Sequence, residues 1–279
     1  MILTKQKIDK IDIDFLINDK LGKGEINEVL IIVPTKRKIR YLTREIISFS
    51  PGNSVSGLKI ETIGSFAEKL ITEIEGKVNL ISEEASVLLI NHSFNRVRLK
   101  YFSQYKSQIP FGTLERVKDV ISEYKRHGIT PERLKKEAEN LSGGEKLKAL
   151  DIANVYDDYQ SALIGNNFKE TGDIYYSLNR KEKKLFNEAF NFLYPQAQFV
   201  LVNGFDEFTA PEIEIINSAS ELNGVELFVA FDYYKYNPAV FSHLNSSHDR
   251  LVDKGFKEVK DISPATQSKF LNIVRESLS

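Results

Sequence analysis

The sequence predicts an α/β protein in which a parallel sheet, its strands alternating with helices, is interrupted by a long all-helical insertion. Three observations predict it. Short runs rich in Val, Ile and Phe recur at Val29 to Val33 (VLIIV), Leu58 to Ile63 (LKIETI), Phe199 to Asn203 (FVLVN) and Val225 to Phe231 (VELFVAF), as buried strands require. The first two are each followed by apolar residues at helical spacing. From Glu75 to Pro195 the strand signal disappears and long helical periodicity replaces it.

Taken in order, VLIIV and FVLVN hardly alternate between apolar and polar, the pattern of strands covered on both faces in a parallel sheet. After Val33, Ile39, Leu42, Ile46 and Ile47 mark one helix, and after Ile63, Phe66, Leu70, Ile71 and Ile74 mark the next; each stripe gives its helix one face to bury. Strand then helix, repeated, means an α/β sheet. The helical region covers Ser82 to Tyr105, Leu114 to His127 and Gly144 to Leu163, with starts at Ser82 and at Thr130 followed by Pro131. Both are favoured first-turn chemistry. The expected organisation is a discontinuous α/β domain of residues 1–75 and 196–279 holding a helical subdomain of residues 76–195. After Phe231 come a turn (DYYKYNP), one or two short helices and an amphipathic stretch (SKFLNIVRESL), without a second α/β half; a fragment of a longer protein is expected.

Composition narrows the function. A compact chain of 31.9 kDa buries about 74% of its unfolded surface, so a full core is possible. The 38 Lys plus Arg against 39 Asp plus Glu leave a net charge of -1, so nucleic acid can be held only by a local patch. The absence of cysteine excludes disulfides, thiolate metal sites and cysteine nucleophiles, and with no charged-then-apolar leader a cytoplasmic protein is expected. No apolar run approaches the ~20 residues that span a bilayer, so no membrane partner is expected.

Parallel sheets commonly carry nucleotides, yet no GxxxxGK[ST] loop is present to cradle phosphates. Leu21-Gly22-Lys23-Gly24-Glu25 lacks the hydroxyl residue and precedes a strand, which makes it a turn. Where an NTPase strand ends in a magnesium-binding Asp and a water-positioning Glu, FVLVN ends in Asn203 and Gly204. Asp206 and Glu207 lie beyond the glycine, placed to face solvent, to cap the helix near Pro211, or to hold a metal. Leu141-Ser142-Gly143-Gly144-Glu145 imitates a transporter signature loop, but without a P-loop it reads as a turn before a helix. The four histidines show no paired-ligand spacing, and no GxSxG elbow occurs. No metal and no cofactor are expected.

Two basic patches remain. Lys36, Arg37, Lys38, Arg40 and Arg44 follow a strand with no acidic residue among them; with Thr35 and the helix N-terminal amides they make either a phosphate seat or a solvated basic helix. Arg96, Arg98, Lys100 and Lys106 alternate with Phe94, Tyr101, Phe102 and Tyr105, which suits single-stranded nucleic acid unless the rings are core.

In order and spacing these pieces resemble a known family. VLIIVPTKRKIRYLTREII resembles motif Ia of superfamily 1 DNA helicases, ETIGSFAEKLI the next conserved segment, and LVNGFDEFTAPEIEII a decayed Walker B segment. That superfamily also inserts a helical subdomain between the second and third of these. GFDEFTAPE followed by FDYYKYNPAVFSHL is similar to the AddB-like branch, bacterial helicase-nuclease subunits with a helicase-like N-terminal half and a PD-(D/E)XK nuclease near the C-terminus. The resemblance implies a P-loop-NTPase-like sheet of the helicase 1A kind with an inactivated P-loop, kept as a DNA- and partner-binding scaffold in double-strand break repair and recombination. This piece would itself neither hydrolyse ATP nor cut DNA, although its parent would be an exonuclease or helicase subunit. It implies single-stranded or forked DNA and a helicase subunit as partners. Carried over by motif, Thr35, Lys36 and Arg37, with Arg40 beside them, would touch phosphates; Thr62 and Ser65 would add contacts, with Phe66 as packing or stacking support. Asn203, Gly204, Asp206 and Glu207 would be the degenerate Walker B positions. Two other classes stay open: an interaction scaffold without DNA binding, and an NTPase with a non-standard site.

Overall fold

The computed structural model describes residues 1–50, 52, 54–105, 109–231, 233 and 237–262. The stretch from Ser268 to Leu278, most of the DYYKYNP turn and Lys106 lie outside the described residues. The chain divides into two compact units, residues 1–70 with 181–279 and residues 71–180. Along it run helices α1 (Ile13–Lys23), α2 (Lys36–Phe49), α3 (Ile63–Glu75), α4 (Glu83–Arg96), α5 (Phe111–Arg126), α6 (Pro131–Ala138), α7 (Gly143–Gly165), α8 (Thr171–Leu178), α9 (Lys183–Leu193), α10 (Ala210–Ala219), α11 (Pro238–Phe241) and α12 (Asn245–Asp253).

The first unit is α/β. Its sheet contains β1 (Ile2–Thr4), β2 (Lys10–Ile11), β3 (Val29–Val33), β4 (Lys59–Thr62), β5 (Phe199–Phe205), β6 (Glu226–Phe231) and β7 (Lys257–Asp261), in the order β2-β7-β1-β6-β5-β3-β4. The four strands expected from sequence are β4, β3, β5 and β6, and they are mutually parallel. The sheet as a whole is mixed, because β1 runs antiparallel to both β6 and β7. The Thr4 hydroxyl ties β1 down by donating to the Leu227 carbonyl at 2.6 Å.

All five residues of β3 are buried, which follows from coverage on both faces. On one face Val29, Ile31 and Val33 pack with Leu201, Phe228, Ile13 of α1 and Ile46 of α2. Side chains alternate along a strand, so Leu30 and Ile32 point to the other face, and they are equally buried. A separate aromatic cluster joins α3 to α9: Phe66 lies 6.4 Å from Phe186 and 6.3 Å from Phe190, both edge-on, and 5.9 Å from Tyr194.

The second unit is helical. Ile90 and Phe94 of α4, Ile121 of α5, and Val155, Tyr159 and Leu163 of α7 form its core. Ser82 caps α4 by accepting from the Ala85 amide at 3.2 Å, and Thr130 caps α6 with Pro131 in the first turn. Gly143 opens α7 after Ser142, so the LSGGE stretch is a helix start. Buried Asp151 accepts from the amides of Lys100, Tyr101 and Phe102 at 2.8–3.0 Å, satisfying donors that a helix start leaves orphaned.

Candidate nucleic-acid interface

Strand register brings the sequence-predicted residues to one end of the sheet. Val33 pairs with Thr62 across β3 and β4, and Ile32 pairs with Val202 across β3 and β5. The segments that follow, Thr35 to Arg37, Thr62 to Ser65 and Asn203 to Gly204, therefore sit at the carboxyl ends of adjacent parallel strands. Open α/β sheets bind ligands at that end.

Thr35 has extended backbone and caps α2, its hydroxyl oxygen accepting from the Lys38 amide at 3.2 Å. Lys36, Arg37 and Arg40 are exposed, as is Arg44. Among the described residues none of these four cations has an ion-pair partner, and the first turn of α2 carries no acidic residue. Cations in a first turn oppose the helix dipole, at about 0.3–1 kcal/mol each. The arrangement is unfavourable for the isolated helix, and an anion seated there would relieve it.

Thr62 and Ser65 are half-buried and bonded to each other. The Thr62 hydroxyl accepts from the Ser65 amide at 3.0 Å, and the Ser65 hydroxyl donates to Glu61 at 2.6 Å. Lys69 also pairs with Glu61. These hydroxyls thus form the start of α3, and a carboxylate stands beside them. Phe66 is 0% exposed, so of its two expected roles the geometry provides packing. Burial, followed by the charge on Glu61, pushes the neighbouring Tyr194 hydroxyl far above its ordinary pKa.

Asn203 and Gly204 sit where the pairing of β5 with β6 shifts register. Gly204 has φ +78°, and a Cβ there would lie 2.6 Å from Cε of Lys38, whose chain crosses it. Asp206 and Glu207 are exposed. The following helix, α10, is capped instead by Thr209 and Glu212 in a reciprocal pair. Among the described residues no group of three or more His, Asp or Glu is placed to hold a metal ion.

Two features escaped the sequence. Strand β2 ends directly at Asp12, whose carboxylate caps α1 by accepting from the Phe15 amide at 2.8 Å, with Asp14 in the same first turn. Two carboxylates therefore stand where a phosphate loop between strand and helix would present amides. Beside them, α1, α2, β3 and β5 enclose an open cleft of about 800 Å³. The LGKGE stretch ends α1, with Gly24 as its left-handed C-cap. In the second basic stretch Phe94 and Phe102 are core and Tyr105 packs against them, Arg96 pairs with Asp158 at 3.4 Å, and Arg98 and Lys100 are exposed.

A family model described as "ADDB, N-terminal" matches residues 16–253. The chain belongs to this family. AddB relatives include an ATP-dependent helicase/deoxyribonuclease subunit of Bacillus cereus (strain B4264) and its counterpart in Bacillus thuringiensis subsp. konkukian (strain 97-27). Each is 25% identical over 215 residues, covering 69% of this chain and 17% of the relative. The chain thus spans about a sixth of the length of these AddB relatives. No helix among the described residues is long and apolar enough to cross a membrane.

Proposed function

We propose that this chain is the helicase-like, non-catalytic DNA-binding scaffold of a bacterial helicase-nuclease subunit of the AddB kind, acting in the cytoplasm in double-strand break repair and recombination. In this proposal residues 76–195 are the helical lobe inserted into a P-loop-NTPase-like domain, a helicase subunit is the protein partner, and single-stranded or forked DNA is the ligand. The observation that carries it is the row of exposed cations on α2, Lys36, Arg37, Arg40 and Arg44, without ion-pair partners among the described residues, of which Lys36 and Arg37 stand in the first turn, against the helix dipole at the carboxyl end of the sheet. Thr35 supplies a further hydroxyl at the same place. Phosphate contacts of this kind position a strand without reading its sequence.

The same proposal gives the chain no nucleotide cofactor. The Asp12 carboxylate already takes the first-turn Phe15 amide of α1 that a phosphate would otherwise use, and Asn203 and Gly204 carry no charge for magnesium. The names of the relatives supply the helicase and deoxyribonuclease context.

Removing a single phosphate-binding cation lowers the slope of log K against log salt by roughly 0.9 on duplex DNA and about 0.7 on a single strand. Replacing Lys36 and Arg37 by alanine is expected to flatten the single-strand slope by about 1.4 and to weaken all sequences alike. An unchanged slope would refute the assignment of these two residues.

A further inference from the structure

The open cleft beside α2 has a different chemistry from the basic row that borders it. Its floor is apolar, made by Ile31, Leu42 and Leu201. Three large rings line it and remain open to solvent: Phe15 at 66%, Tyr41 at 57% and Phe49 at 69% exposure. Exposed rings gathered around one depression are costly to leave in water.

Tyr41 links the cleft to the cations. It stands one turn after Arg37 and one turn before Arg44, so all three share a face of α2. The Lys38 ammonium lies 5.3 Å from its ring centroid, which holds a positive charge at the ring without covering it. Carboxylates line the cleft on both sides, Asp12 and Asp14 on the α1 wall and Glu45 on α2, so the cleft itself draws in no phosphate backbone. The charge distribution therefore orients a strand: phosphates on the exposed α2 cations Lys36, Arg37, Arg40 and Arg44, which lie outside the cleft lining, and uncharged apolar faces toward the cleft.

We propose that the α1–α2 cleft receives bases of a single strand whose phosphates run along α2, with Tyr41 as the stacking platform. This rests on the phosphate-binding role of α2. It adds that the ligand is recognised as unpaired, because a base inside a duplex cannot reach a ring in a cleft. Every base has a stacking face, so the preference is for single strands and not for a sequence.

The test uses the whole chain with Y41A and Y41F variants, an unstructured single-stranded oligonucleotide, the same oligonucleotide made abasic at its central positions, and a duplex, over a range of salt. Tyr41 is exposed, so both variants should fold, and a circular-dichroism melt checks this. Y41A is expected to bind the normal strand about 5- to 150-fold more weakly, the range that removal of one stacking ring represents. Its salt slope should not change, because no phosphate-binding group is removed. Y41F should bind as the wild type does, and the wild type should bind the abasic strand as weakly as Y41A binds the normal one. Equal binding of normal and abasic strands by wild type and Y41A, with the salt slope intact, would overturn the base-binding cleft and leave the phosphate row standing. Salt-independent binding, or none, by the wild type would overturn both.

Discussion

Replacing Lys125 by methionine should strongly destabilise the helical unit. The Lys125 side chain is 2% exposed and its ammonium lies 2.8 Å from Glu170 and 2.7 Å from Asp173, themselves only 10% and 16% exposed. It also sits 5.5 Å from the Tyr159 ring centroid. Helices α5 and α8 approach so closely here that a Cβ on Gly172 would meet the Lys125 carbonyl oxygen at 2.8 Å. The carboxylates therefore cannot turn to water without separating the helices. Methionine keeps most of the stem but leaves two neighbouring negative charges without their cation, a loss of about 3–5 kcal/mol for a broken buried pair. At about 2–4 °C per kcal/mol for a chain of this size, the melting midpoint should fall roughly 6–20 °C. Differential scanning calorimetry reads the effect, and the triple variant K125M/E170Q/D173N should recover most of it. Gln and Asn still offer the acceptors with which Glu170 and Asp173 cap α8. A loss below about 1 kcal/mol in K125M, well under the range for breaking a buried pair, or no recovery in the triple variant, would refute this electrostatic account.

The remaining predictions concern the sheet end and its support. Gly204→Ala should cost about 1–2 kcal/mol, the penalty of a left-handed backbone for a residue with a Cβ; adding K38A relieves only the steric part, and full recovery in chemical denaturation would contradict the backbone explanation. Glu221 is held below the ordinary carboxylate range chiefly by its hydrogen bond from Lys183, which outweighs the opposing effect of burial, with the charges of Lys5 and Lys183 adding to it. Its folded pKa is thus below the unfolded one, so its contribution is present above the ordinary glutamate pKa of about 4.3 and is lost as pH falls through the folded value. Glu221→Gln should therefore flatten the acid limb of stability between about pH 6 and pH 3, and an acid limb as steep as that of the wild type would contradict it.

Elements with strong apolar runs were legible in the sequence, and those held by context were not. VLIIV and FVLVN declare central strands because both faces are buried. Ser82 and Thr130 declare helix starts because the cap needs only a local side chain. Strand β1 is three residues long and β2 two, too short for any periodicity. Strand β7 reads KEVKD, with only Val259 buried; it joins through backbone pairing with β1 and β2, which no side-chain pattern announces. At the sheet end, Thr35, Lys36, Arg37 and Thr62 could be placed together because strand-helix order fixes which ends align. Tyr41 carried no such signal, since its exposure depends on the gap between α1 and α2. The passage of Lys38 over Gly204 likewise depends on a tertiary approach that the glycine hints at only after the fold is known.

Titration of a labelled single strand and a labelled fork with the whole chain, at salt from about 50 to 200 mM (the range over which phosphate contacts show their slope) and with or without magnesium ATP, tests the scaffold account most directly. It predicts binding that weakens steeply with salt and is indifferent to nucleotide. Absence of binding at the lowest salt, or binding that requires ATP, would contradict it.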